Sequence, residues 1–124
     1  MRRFSALALL LLAAACAEAP TPTLPASATP AGTGDRVLRV GTDMTSFFLD
    51  PQPNRPAAAA RAIAELEWLA DSLPRNPRWQ NASSVGLNGL QQARWEARTA
   101  LGIPRSATGQ SVIVGLAAAA QAIE

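Results

Sequence analysis

Residues 55–74, RPAAAARAIAELEWLADSLP, constrain the fold more than any other stretch. Pro56 suits the first turn of a helix and Pro74 cannot continue one, so a helix over about 56–73 is expected. Ala59, Ala62, Ile63, Leu66, Leu69, Ala70 and Leu73 share one face at 3.6 residues per turn. Trp68 falls almost opposite Leu66, alongside Ala57, Ala64 and Asp71. A helix with one apolar face needs partners, and the chain supplies two more helical stretches.

The second covers about 84–101, ending at Gly102 and Pro104, residues that stop helices. Its start is ambiguous. Ser83 or Ser84 could cap it, but Asn88 with Gln91 also forms a capping box, and Gly86 and Gly89 loosen the first turn. Leu87, Leu90, Ala93, Ala97 and Leu101 share a face, with Trp95 off it among Asn88, Gln92 and Thr99. The third stretch covers about 108–123. Val112, Leu116, Ala119 and Ile123 line one side, yet Ile113, Val114, Ala117 and Ala118 occupy the others. A helix apolar nearly all round is normally buried, and two partners cannot surround it. Either a further element packs there, or its alanines face water. The fold class read from these signals is all-α: a small three-helix arrangement over residues 56–124.

Upstream the reading changes. Residues 36–55 contain Val37, Leu38 and Val40 and then a proline-rich turn, which reads as a short extended segment. Residues 16–35 carry four prolines and small residues with little to bury, the composition of a flexible, disordered tether. At about 3.1 Å per residue, residues 17–35 would reach roughly 60 Å if extended as polyproline II.

Composition narrows the function. All eleven basic residues are Arg, and Lys, His and Tyr are absent. The bases, nucleophiles and metal ligands that enzymes use most are therefore missing. No catalytic triad, phosphate loop, metal spacing or cofactor motif is present, so neither enzyme activity nor a metal or cofactor is expected. Glu67 and Asp71, one helical turn apart, read as a solvated face. The alternative, a small carboxylate-dependent cell-wall hydrolase, would have to use them. Without Arg2 and Arg3 the chain has nine Arg against nine acids, so no net basic field favours nucleic acid.

Those two arginines open MRRFSALALLLLAAAC, residues 1–16. A positive start, an apolar run from Phe4 to Leu12, and then Ala13, Ala14 and Ala15 form the three zones of a signal peptide. The run is too short for a bilayer core of roughly 30 Å, which takes about 20 apolar residues. Ala14, Ala15 and Cys16 resemble the lipobox of bacterial lipoproteins, with Ala13 at the position where Leu is commonest and Leu12 one place earlier. The resemblance covers residues 1–16 alone. It implies cleavage between Ala15 and Cys16 and lipid attachment at Cys16. It also implies residence in the bacterial cell envelope, and Ala17 (where the family's inner-membrane members carry Asp) implies the outer membrane, facing the periplasm. The alternative is an ordinary secretory peptide with a chance Cys. A second resemblance, of LRVGTDMTSF to the opening strand of periplasmic solute-binding domains, fails on length, since too few residues follow to build two α/β lobes.

A tethered helical domain without catalytic equipment is expected to bind another envelope protein or a copy of itself. The candidate interface residues are Trp68, Trp95, Arg94 and Arg98, because Trp and Arg are favoured at hot spots and both Trp residues lie off the apolar faces. Trp79, between the first two predicted helices, reads as a lid over the end of the core.

Overall fold

The structure is a computed structural model and describes residues 19–124. The predicted signal peptide, the cleavage site at Ala15 and the lipidation site at Cys16 lie outside the described residues. Among those residues the chain is all-α, with four helices: α1 (Arg36–Leu49), α2 (Pro56–Ser72), α3 (Ser84–Ala100) and α4 (Gly109–Ala122). Three of them match the predicted stretches to within about a residue, inside the usual uncertainty of helix ends.

The fourth, α1, corrects the expected extended segment over 36–55. The valines that read as alternation also fit a helix: Val37, Val40, Met44 and Phe48 recur at three- and four-residue spacing. Asp35 caps the helix, its carboxylate accepting the Leu38 amide at 3.2 Å. Val40 is fully buried, with Val37 and Met44 packed against the same core. Tertiary packing has overridden the weak helix propensity of the Val, Thr and Gly residues.

The α2 helix is the axis of the molecule. Both α1 and α4 run antiparallel to it: Arg36 lies over Trp68 near its end, while Glu124 pairs with Arg61 near its start. From Ala62 to Ala70 every residue of α2 except Ile63 is buried. One amphipathic face cannot account for that, and the explanation is a fourth neighbour.

That neighbour is the segment expected to be a free tether. Residues 19–35 instead lie across α2 and α4 as a strap. Leu24 (4% exposed) and Ala28 (1%) join Val40, Ala64, Trp68, Ile113 and Ala117 in one core cluster. Polar contacts fix the strap along its length. The Trp68 indole Nε1 donates to the Pro22 carbonyl at 3.1 Å. The Thr23 amide donates to Gln110 Oε1 at 2.7 Å, and Gln110 Nε2 donates back to the Thr23 carbonyl at 3.1 Å. Arg36 Nη2 donates to the Leu24 carbonyl, and Arg75 Nη1 to the Ala19 carbonyl at 2.8 Å. Proline-rich composition predicts an extended chain, whereas the strap makes a 3-10 turn at Ala26–Ala28 and bends again at Gly32 and Gly34; what composition did not reveal is that such a chain can be pinned. The strap also supplies the cover that α4 lacked in the sequence reading. Its buried residues are Val112, Ile113, Ala117 and Ala120, with Leu116 partly buried, whereas the predicted face members Ala119 and Ile123 are exposed.

The α3 helix crosses the remaining side of α2. It ends in a Schellman motif: Gly102 takes φ +67°, its amide bonds the Thr99 carbonyl, and the Ile103 amide bonds the Arg98 carbonyl at 2.8 Å. Its hold on α2 is mostly polar, and Arg98 is its one buried residue.

Candidate functional site: an open trough between two helices

Because α1 and α3 each pack chiefly on α2, a trough remains between them. Its deeper part encloses about 640 Å³ over a floor made by Leu66. Met44 and Phe48 of α1 form one wall, and Gly89, Ala93 and Ala97 of α3 form the other. A second part of about 470 Å³ continues past the shared Met44 and Leu90 to Val37, Leu69 and Leu73. The α3 wall carries small side chains at Gly86, Gly89, Ala93, Ala97 and Ala100, together with the larger Leu90 and Glu96. Most of the apolar face predicted to bury α3 in the core therefore lines an open trough. Phe48 (47% exposed) and Leu38 (55%) stand on the opposite wall.

Behind α3 lies a buried ion-pair cluster. Glu67 is 1% exposed, which corrects the expected solvated face. Arg98 grips it with two nitrogens, Nη2 to Oε2 at 2.9 Å and Nε to Oε1, and Arg94 Nε adds a third bond at 2.8 Å. Arg98 spends its remaining nitrogen on the Ala107 carbonyl at 2.9 Å, tying the loop before α4 to the same point. Asp71 stays nearer the surface and pairs with Arg75 at 2.7 Å. Gln91 completes the seam by donating to the Ala70 carbonyl.

The predicted interface residues do not form one surface. Trp68 is buried (8% exposed) under the strap, with the Arg36 guanidinium 5.3 Å from its ring centre. Its off-face position marked a contact within the chain. Arg94 and Arg98 are drawn inward by Glu67. Trp95 remains half-buried, with the guanidinium groups of Arg94, Arg98 and Arg105 each 5.1–5.2 Å from its ring centre, a cation–π arrangement. Trp79 is half-buried under Arg78, 5.0 Å away.

Sequence reasoning passed over Glu65. This α2 carboxyl is 1% exposed, and its Oε2 has no hydrogen-bond partner. Burial, reinforced by the neighbouring Asp43 carboxylate and only partly offset by Arg61, pushes its pKa up to about 8. It is thus held neutral around pH 7, but it is enclosed and presents no atom to a solute. Once α1 is recognised as a helix, Asp43 faces α2, and that was the only available sequence signal.

Among the described residues no group of three or more His, Cys, Asp or Glu could hold a metal ion, and no helix is long and apolar enough to cross a membrane. No protein-family model, curated protein or solved structure matches the chain.

Proposed function

We propose that the protein is a membrane-anchored lipoprotein of the bacterial cell envelope, non-enzymatic, whose trough receives an apolar helix face from another envelope protein. One observation carries the binding role: the small-residue face of α3 lies open opposite Phe48 and Met44 instead of packing in the core. Small side chains at helical spacing let a second helix approach closely, and an apolar trough over a hydrophobic floor suits the helix-in-groove mode of recognition. The lipobox at residues 13–16 supports the anchor. The enclosure of Glu67 by Arg94 and Arg98 weighs against a carboxylate hydrolase, since neither Glu67 nor Glu65 faces solvent. No nucleic acid or cofactor enters this reading.

Photo-crosslinking in cells from Phe48 and Ala97, read by mass spectrometry of membrane fractions, tests the trough. A discrete adduct with a second protein is the expected result. Absence of any adduct at both positions overturns the reading. The second reading is self-association, favoured by Leu49 and Val85, each 80% exposed beside the trough walls. A homodimer adduct, with concentration-dependent light scattering, selects it. Cys16→Ser checks the anchor independently, since it should abolish the lipid mass increment.

A further inference from the structure

We infer that the domain is held directly against the bilayer, with its α2–α3 loop toward the lipid headgroups, and does not ride on a long tether. This rests on the reading of Cys16 as the lipid anchor. The geometry comes from the strap. Residues 19–35 are fixed to the domain by the Arg75–Ala19, Trp68–Pro22, Gln110–Thr23 and Arg36–Leu24 hydrogen bonds and by burial of Leu24 and Ala28. Cys16 stands three residues before Ala19 in the sequence, and three residues span at most about 11 Å even when fully extended. The 60 Å reach expected from composition is not available.

Where the strap begins decides the orientation. The Ala19 carbonyl sits on Arg75, in the short turn Leu73–Arg75 that follows α2. The anchor therefore emerges at this end of the molecule, and the α1–α2 loop and the chain terminus at Glu124 lie at the other, about 25 Å away along α2. The anchored end fits a lipid surface. Arg36, Arg75 and Arg78 lie there with Asp35 and Asp71, and the link between Cys16 and Ala19 carries Glu18, so this end is neutral overall. Trp79, stacked with Arg78, belongs to the residue type enriched at the headgroup level. The trough begins at the same end, since Val37 and Leu73 border both it and the strap. A partner helix would accordingly be met at the membrane surface.

The test uses the full lipidated protein in vesicles of zwitterionic and anionic phospholipid carrying a gadolinium headgroup. Spin labels are placed at Gln80→Cys, in the loop, and Gln52→Cys, at the far end. Mass spectrometry first establishes the lipid increment on Cys16; without it the anchor reading fails, and the placement falls with it. With the anchor present, several-fold stronger relaxation at Gln80 than at Gln52 is expected, and a flexible Gly/Ser insertion between Ala17 and Glu18 should erase the difference. Equal relaxation at the two labels in the uninserted, lipidated protein overturns the placement while leaving the anchor intact.

Discussion

Two buried carboxylates two positions apart on α2 behave in opposite ways. Glu67 has two guanidinium partners, whereas Glu65 has a like-charged neighbour in Asp43 and an orphaned oxygen. Removing one partner of a buried pair strands the other, a change that costs about 3–5 kcal/mol. Arg98→Ala should therefore lower the urea-unfolding free energy by about that amount, and Arg94→Ala by clearly less, because its side chain is partly exposed and Arg98 still holds Glu67. Glu65 works in the other direction. Its folded pKa of about 8 lies above its ordinary value of 4.5. The native state then binds a proton that the unfolded state has lost. The stability that Glu65 contributes should be fullest below about pH 4.5 and fall by up to roughly 1.4 kcal/mol per unit as pH rises toward 8, then level off. In Glu65→Gln that slope should disappear, leaving the variant more stable than the parent above pH 8 and little different below pH 5. Urea midpoints at pH 5, 7 and 9 read the effect.

At the scale of elements, α1 depends on its cap. Asp35 accepts the Leu38 amide and also pairs with Arg78, which holds its carboxyl below the usual range. Asp35→Ala should lower the melting temperature and reduce helical circular dichroism, whereas Asp35→Asn, which can still cap, should do so less. This helix also marks where sequence reading failed. The elements α2, α3 and α4 were legible because proline, glycine and threonine punctuate them and because α2 and α3 carry a clear helical period. In α1 the β-branched Val37 and Val40 fit a strand and a helix equally, and only the burial of Val40 against α2 decides between them. In α4 the element was plain but its orientation was not, since a helix apolar all round has no preferred face until its neighbours choose one. The trough was legible in part: the apolar face of α3 stood in the sequence, but its failure to meet a partner is a property of how α1 and α3 both choose α2. Glu67 and Arg98 were misread as surface because i, i+4 spacing along one helix says nothing about the helix that packs over it.

In the molecule as a whole, the Pro-rich segment 19–35 belongs to the fold. It covers a side of α2 and α4 that the other helices leave open, it buries Trp68, and it brings the anchor site close to the domain. Composition alone could not show this, because four prolines and few large side chains describe a tether and a strap equally. Leu24 is the exception that signalled it, a single large apolar residue seated in the core. Full burial of a Leu side chain contributes about 1.5–3 kcal/mol, and losing the strap would also expose Ile113, Ala117 and Trp68 to water. The most direct measurement is thermal unfolding of residues 19–124 compared with residues 36–124, followed by far-UV circular dichroism and Trp fluorescence. A change of 1 kcal/mol moves Tm by about 4–8 °C in a domain of this size. The structure therefore predicts that the shorter chain melts about 10 °C or more below the longer one, or loses its cooperative transition, with red-shifted emission from Trp68. Equal melting temperatures and identical emission would contradict the strap, and with it the close placement of the domain on the membrane.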